Sequence, residues 1–416
     1  MTRTDAPVRR AEILAVGTEL LLGETLDTNG AWLAAALADR GVDVLWSARV
    51  GDNLARIREA LETSLARSDL VVTSGGLGPT DDDLTREAIA AVLDETPRID
   101  PALEAELRAF FERRGLDMPE RNLKQAWTLP SVTALANPRG TAPGWLARVE
   151  RGGAPRWIAA LPGPPRELVR MTEHELVPRL PLPRSRLWVT TLKTAGVGES
   201  HVADLLGEAT RSANPSVATY ARADGVHVRV AAKADGADAA EALGRPVARD
   251  VAERLGEAVW GADDDDLAGV TLAALRRRGE RLAVAERGTG GALAVALTAA
   301  DPDRTTLIGA VIRWQVDAMD TLREPPRAAP DDPVARAAAG ARAVFAADAA
   351  IAVGELRPVD GEAGGVSVDV AVRDASGGET ITVHLPERSG PWVRDRVVLR
   401  ALDLLRRRLR HPRRDD

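Results

Sequence analysis

The stretch Ser74-Gly-Gly-Leu-Gly-Pro-Thr-Asp-Asp-Asp83 combines residue types that could hold a phosphate and a cation side by side. Gly75, Gly76 and Gly78 let backbone approach a ligand closely, and amides at a following helix start favour anionic groups. Thr80 adds a hydroxyl. Asp81, Asp82 and Asp83 come at once after it. Carboxylates beside a phosphate repel it unless a cation lies between them, so the pattern suggests a phosphate ester or anhydride held with a divalent metal. A helix N-terminus by itself favours an aspartate through the macrodipole, which accounts for one of the three better than for all.

Such a loop must be carried by a strand and a helix. Asp69-Leu-Val-Val-Thr73 reads as a buried strand and Leu84–Leu93 has helical spacing. The first ~170 residues repeat this alternation, the pattern of an α/β domain with a mostly parallel sheet. Ala11–Val16 reads as strand one and Gly17-Thr-Glu-Leu-Leu-Leu-Gly23 as the loop after it. A helix over 28–40 follows, then a strand from Val42 ending near Val50-Gly-Asp52, and a helix capped by Asn53. Ligands gather at the carboxyl ends of strands in such folds, and three loops fall there: 17–23, 51–52 and 75–83. Asn122-Leu-Lys-Gln125, Asn137-Pro-Arg-Gly-Thr-Ala-Pro-Gly144 and Leu161-Pro-Gly-Pro-Pro165 close the domain with tight, rigid turns. Lys124 is a rare lysine in a chain that otherwise uses arginine, which suggests a need for an ammonium.

With 416 residues, 45% hydrophobic and 28% charged, the chain has room for two or three soluble domains. No run approaches the ~20 apolar residues of a membrane span, and the N-terminus lacks an apolar signal core. The absence of cysteine excludes disulfides, thiolate metal sites and cysteine nucleophiles, and fits a cytoplasmic location. Five scattered histidines argue against structural zinc, and a net charge of −7 argues against nucleic acid as a main partner.

The proline-rich Val177–Pro183 is read as a hinge, giving domains over 1–175, 184–258 and 264–412. The middle one is a small α+β module with a strand over 188–193, a helix over 199–206 and a hairpin around Asp224-Gly225. Gly261-Ala-Asp-Asp-Asp-Asp266 reads as an acidic linker or a solvated loop. The last part is α/β again. It has a second glycine-rich turn, Glu286-Arg-Gly-Thr-Gly-Gly291, and a terminal helix with Val398, Leu402, Leu405 and Leu409 on one stripe.

Gly17–Gly23, Thr28-Asn29, Val50-Gly-Asp52, Gly75–Thr85, Asn122–Ala126, Gly140–Gly144 and Leu161–Pro165, in this order, resemble the CinA family of competence/damage-inducible proteins. Lys193-Thr-Ala-Gly-Val-Gly-Glu-Ser200 resembles its middle module. The resemblance implies a first domain similar to the three-layer, molybdopterin-binding fold of MogA and gephyrin, with metal-dependent ADP-ribose pyrophosphatase activity and potassium as a further cation. It also implies a homodimer. On that reading Gly75, Gly76, Gly78 and Thr80 hold phosphate, and Asp81, with Asp82 or Glu19, holds a magnesium-like ion. Lys124 neutralises the leaving phosphate, and Gly17, Asn29, Asp52 and Thr141 shape the same pocket. Two rival readings stay open: a nucleotide- or pterin-binding regulator without turnover, and molybdenum-cofactor chemistry.

The family's C-terminal domain is associated with deamidation of nicotinamide mononucleotide. Its hallmark is Glu-Ser-Cys-Thr-Gly-Gly, whose serine is the nucleophile, followed by Tyr-Ser-Asn-x-x-Lys. Here Arg287 stands at the serine position, Ile312–Met319 lacks the tyrosine and the lysine, and Val353-Gly-Glu-Leu-Arg-Pro358 replaces a Thr-Gly-x-Ala-Gly-Pro loop. An arginine supplies no attacking oxygen, so this domain is expected to be a silent deamidase scaffold, with Thr289 the one nearby hydroxyl.

Overall fold

Short runs of buried β-branched and small residues alternate with amphipathic helices, and in the computed structural model they assemble as a layered α/β domain. The structure describes residues 6–312, 330–359, 365–386 and 390–410. The first part runs β1 (Arg10–Val16), α1 (Thr18–Leu22), α2 (Thr28–Ala38), β2 (Asp43–Val50), α3 (Leu54–Arg67), β3 (Leu70–Ser74), α4 (Thr85–Leu93), β4 (Arg98–Ile99) and α5 (Pro101–Glu112). It continues with β5 (Trp127–Thr128), β6 (Val132–Leu135), β7 (Gly144–Arg151), β8 (Ala154–Leu161) and α6 (Pro165–Met171). The main sheet has the order β2-β1-β3-β8-β7-β6. Its β1–β2, β1–β3 and β3–β8 pairs are parallel, and β6 and β7 add an antiparallel edge.

Alternation along the strands divides the core between two faces. Leu14, Val16 and Val71 pack with Ile57, Leu61, Ala88 and Ile89 of α3 and α4. Ile13, Leu70 and Val72 pack with Leu33, Leu37 and Leu168 of α2 and α6. The domain is therefore three-layered, as the family resemblance implies; the α/β alternation with a mostly parallel sheet is what the sequence pattern predicts. Side-chain caps start the helices where expected: Asp27 accepts from Gly30 N at 2.8 Å and Asn53 from Arg56 N at 3.1 Å.

The segment over 17–23, read as a loop, contains the short helix α1, closed by Gly23 at φ 75°. The proline-rich segment over 177–183 is not a free hinge. Leu176 and Leu180 are buried in the first domain's core, and Val8 N donates to Pro181 O at 2.8 Å. By internal contacts the chain divides into two units, Met1–Trp188 with Lys233–Ala240, and Val189–Ala232 with Glu241–Asp416.

Next come β9 (Ser185–Thr194), α7 (Glu199–Leu206), β10 (Ser216–Arg222), β11 (Gly225–Asp235), α8 (Ala237–Leu255) and β12 (Val259–Ala262), with sheet order β10-β11-β9-β12. The hairpin closes at Arg222 opposite Gly225, as expected. The acidic run beyond it is spent on turns. Asp263 accepts from Thr191 N at 2.8 Å, Asp265 from Ala262 N at 2.9 Å, and Asp266 caps the next helix through Gly269 N at 2.7 Å.

The last part comprises α9 (Leu267–Arg277), β13 (Leu282–Glu286), α10 (Ala292–Ala300), β14 (Leu307–Ile312), α11 (Pro333–Val344), β15 (Ala349–Val353) and β16 (Arg357–Pro358), then β17 (Val366–Asp374), β18 (Gly377–Leu385) and α12 (Pro391–Arg410). One face of its sheet carries Leu282, Val284 and Ile351 under α9 and α12; the other carries Ala283, Ala285, Ala350 and Ala352 against alanines of α11. Small residues on both sides let that helix approach the sheet closely. The terminal helix is buried on more than one stripe: Val397, Ala401 and Leu404 join Leu402, Leu405 and Leu409. Arg406 is buried too and paired with Asp403 at 2.5 Å. Residues 313–319 of the segment compared with the family's Tyr-Ser-Asn-x-x-Lys lie outside the described residues, as do 360–364 of the turn read at Val359–Gly365. Among the described residues no helix is long and apolar enough to cross a membrane.

Candidate active site

The carboxyl ends of β1, β2, β3 and β8 open onto one cleft of about 710 Å³. Parallel strands place the loops after them at one edge of the sheet, which is why distant sequence segments converge there. Gly17, Glu19, Asn29, Asp52, Gly75, Gly76, Gly78, Asp82 and Thr141 line the cleft, as the sequence reading anticipates. Thr80, Asp81 and Lys124 do not.

The glycine loop needs its glycines. Gly75 has φ 101° and Gly76 φ 65°; a Cβ on the first would meet Val16 O at 2.3 Å, and one on the second Thr85 Oγ1 at 2.3 Å. Both ends of the loop are pinned. Gly75 N donates to Leu161 O at 3.0 Å, and Thr85 Oγ1 donates to Gly75 O at 2.8 Å. Asn29 Nδ2 donates to Ser74 Oγ at 2.9 Å and to Gly163 O at 2.7 Å, tying β3 to the Leu161–Pro165 loop. Thr18 N donates to Asp52 Oδ2 at 2.8 Å while Asp52 N donates to Thr18 Oγ1 at 3.2 Å, which fixes the loop after β1.

The three aspartates have different employment. Asp83 also lines the cleft, but it folds the turn: its Oδ2 accepts from Thr80 N at 2.9 Å and Thr80 Oγ1 at 2.5 Å. Asp82 faces the cleft, and hydrogen bonding to Thr80, then to its own backbone amide, holds its carboxyl below the ordinary range. Asp81 is exposed and outside the cleft wall. Lys124 is a brace. Its Nζ donates to Thr80 O at 3.2 Å and Asp83 O at 2.5 Å, and pairs with Glu87 Oε1 at 2.7 Å.

Other residues of the site carry weak sequence signals. Arg139 lines the cleft as a cation, with Nη1 donating to Arg166 O at 3.1 Å. Glu167 also lines it and accepts from Asn137 Nδ2 at 2.7 Å. Arg86 is wholly buried; Nη1 donates to Leu77 O at 2.7 Å and Nη2 to Pro143 O at 3.0 Å. It clamps the glycine loop to the Gly140–Gly144 loop, and burial pulls its guanidinium down to about 10. The signal for Arg86 is an arginine on the apolar stripe of α4, and for Arg139 a cation inside the Asn137–Gly144 turn.

Among the described residues no three Asp, Glu or His side chains are arranged to hold a metal ion. Glu19 and Asp82 both line the cleft, a donor set that suits a magnesium-type ion taking one or two carboxylates and completing its shell with substrate phosphates.

The second glycine turn is closed on itself. Glu286 is buried and accepts from Thr289 Oγ1 at 2.5 Å, Leu293 N at 3.0 Å and Ala294 N at 2.6 Å. Arg287 Nη2 pairs with Glu355 Oε2 at 3.1 Å.

Residues 12–182 match the family described as "Probable molybdopterin binding domain", residues 189–261 the "Damage-inducible protein CinA KH domain", and residues 264–409 the "CinA C-terminal domain". A "CinA-like protein" of Deinococcus deserti is 46% identical over 405 residues, covering 96% of this chain and 98% of its own. The chain belongs to the CinA family. A "CinA-like protein" of Deinococcus radiodurans matches at the same 46% over 405 residues. Among solved structures, the protein CinA of Thermoplasma acidophilum is similar at 35% identity and TM-score 0.38, over 42% of this chain and 99% of that one. The family assignment and the observed three-layer domain agree with the resemblance read from the motifs.

Proposed function

We propose that the first domain hydrolyses the diphosphate bridge of ADP-ribose, or of a related nucleoside diphosphate sugar, to AMP and ribose 5-phosphate. The observation that carries the reading is one cleft in which the Gly75–Gly78 backbone, the Arg139 cation and the Glu19 and Asp82 carboxylates surround one space. In the reaction a water oxygen bonds to one phosphorus, the bond from that phosphorus to the bridging oxygen breaks, and a water proton ends on the leaving phosphate. The glycine loop orients the diphosphate, and Arg139 offsets charge growing on the bridging oxygen. Asp82 stays ionised at neutral pH, and Glu19 and Asp82 would hold the cation. A magnesium-like ion, when bound, supplies polarisation of the phosphoryl oxygen. Lys124 acts through the loop that it braces. Chromatographic measurement of AMP released from ADP-ribose by purified protein, with magnesium and with a chelator, tests the reading; no AMP under either condition would overturn it.

We further propose that the C-terminal domain is silent toward nicotinamide mononucleotide. The Arg287–Glu355 ion pair and the burial of the Thr289 hydroxyl against Glu286 support this, since neither side chain offers an activated oxygen. Ammonia release from nicotinamide mononucleotide would contradict it. A homodimer is also proposed: Leu22 and Leu26, 69% and 82% exposed, are apolar surface that self-association would cover. Light scattering should give twice 44.2 kDa, and the monomer mass at micromolar concentration would rule the dimer out.

A further inference from the structure

One face of the middle module's sheet carries polar groups that the proposed hydrolysis does not use. Pairing sets Tyr220 opposite His227 and Arg222 opposite Gly225, so strand alternation sends Tyr220, Arg222, His227 and Arg229 to the same face. Val217, Val226, Val228 and Val230 take the other face and are buried. The first face holds a cavity of about 630 Å³. Tyr220, Arg222 and Arg229 line it from β10 and β11; Asp263 and Asp264, just past β12, line it from the opposite edge of the sheet.

The groups around this cavity divide into spent and free. Lys193 Nζ donates to Asp265 O at 2.6 Å, His227 Nε2 lies 2.9 Å from Asp224 Oδ1, and Asp263 Oδ1 accepts from Thr191 N at 2.8 Å. Among the described residues no hydrogen bond or ion pair engages the guanidinium of Arg222 or of Arg229. Arg222 has only the Tyr220 ring beside it, with Cζ 5.8 Å from the centroid. Two like charges on adjacent strands repel, and Arg229 is half-buried, so an anion between them would offset both costs.

We propose that this cavity binds the terminal phosphate of a small anion, with Arg222 and Arg229 taking its oxygens and the group next to the phosphate resting on Tyr220. Guanidinium forks match phosphate oxygens in geometry as well as in charge. The carboxylates on the far side set the class of ligand. Exposed Asp264 would repel a polynucleotide, which carries a charge at every phosphate, but it accepts from the hydroxyl or amino donors of a small ligand. Inorganic phosphate and a phosphate monoester share this chemistry. Every lining residue belongs to the second unit, so the site stands or falls apart from the hydrolase reading of the first domain.

Tyr220 is the only tyrosine in the chain, so 3-fluorotyrosine gives the full-length protein a single fluorine resonance at the site. Titration with inorganic phosphate and with glycerol 3-phosphate, without added metal, should move it saturably; the tighter of the two names the source of the phosphate. Arg222→Met and Arg229→Met should each raise the dissociation constant about tenfold, the usual worth of one charge-assisted hydrogen bond. Arg229→Lys, which keeps the charge, should lose less. Arg139→Met, in the first domain's cleft, should leave the titration unchanged. A resonance that neither phosphate moves, a lysine variant as weak as the methionine one, or a loss in Arg139→Met would each overturn the site. Tighter binding of a hexathymidylate without a terminal phosphate would overturn it too, and would make the face a single-strand surface instead.

Discussion

Two glycine-rich turns follow strands in this chain, one after β3 and one after β13, and they spend their carboxylates in opposite ways. After β3 the acidic residues come behind the glycines. Asp83 folds back on Thr80, Lys124 and Arg86 brace the turn from behind, and Asp82 is left facing an open cleft. After β13 the acidic residue precedes the glycines. Glu286 reaches into the first turn of α10 and takes Leu293 N and Ala294 N, the amides that would otherwise greet an anion. A glycine turn at a strand end is therefore not a phosphate site until the ownership of its helix amides is known.

The sharpest way to break this comparison is within the aspartate run. Asp82→Asn should lower AMP release from ADP-ribose by about a hundredfold or more, because a ligand to the cation acts mainly in the transition state. Asp81→Asn should change it by less than about threefold, since Asp81 is outside the cleft wall. Steady-state kinetics of the two variants decide; a larger effect at Asp81 would reverse the assignment.

Arg86→Met should destabilise the first domain by about 3 kcal/mol in denaturant titration, since Leu77 O and Pro143 O lose a buried charged donor. Turnover should fall with it, as the loop loses its clamp. A loss below about 1 kcal/mol would show the guanidinium to be dispensable.

Acid distinguishes the two regions next. Burial pushes the Asp301 carboxyl up, but hydrogen bonds from Leu307 N, Thr306 N and Arg276 outweigh it and hold it at about 2, below the ordinary 3.8. A depressed carboxyl stabilises the fold above its unfolded value, and that contribution is lost as pH falls from 3.8 toward 2. The part containing α9, α10 and β14 should lose about 2 kcal/mol across this window, and Asp301→Asn should flatten the loss. An unchanged pH profile in the variant would remove Asp301 as the cause.

The smallest expected effect is none. Arg287→Ser should leave ammonia release from nicotinamide mononucleotide at background, because a lone hydroxyl without a base is not a nucleophile and catalytic groups act as a unit. Measurable release would mean that the turn keeps more of the machinery than its contacts suggest.

What the sequence determined by itself is the alternation of the first three strands with their helices, the family, and the segments that meet at the site. Hydrophobic periodicity and turn residues are local properties, and parallel strands carry their loops to one edge whatever the loops contain. The proline-rich boundary segment has a local cause too: prolines stop a helix whether the chain then leaves the domain at once or, as at Leu180, first packs into its core. That Asp82 and Asp83 line the cleft while Asp81 does not, and that Arg139 rather than Lys124 is the cation in its wall, was decided by the tertiary structure alone. Those outcomes depend on where a side chain's partners lie. Thr80 and Asp83 are neighbours in sequence, but Lys124 reaches them across 44 and 41 positions, and no local pattern records such a meeting. The buried Arg86 is the plainest case. Its charge belongs on the surface by composition, and only the two carbonyls brought to it by separate loops make its burial affordable.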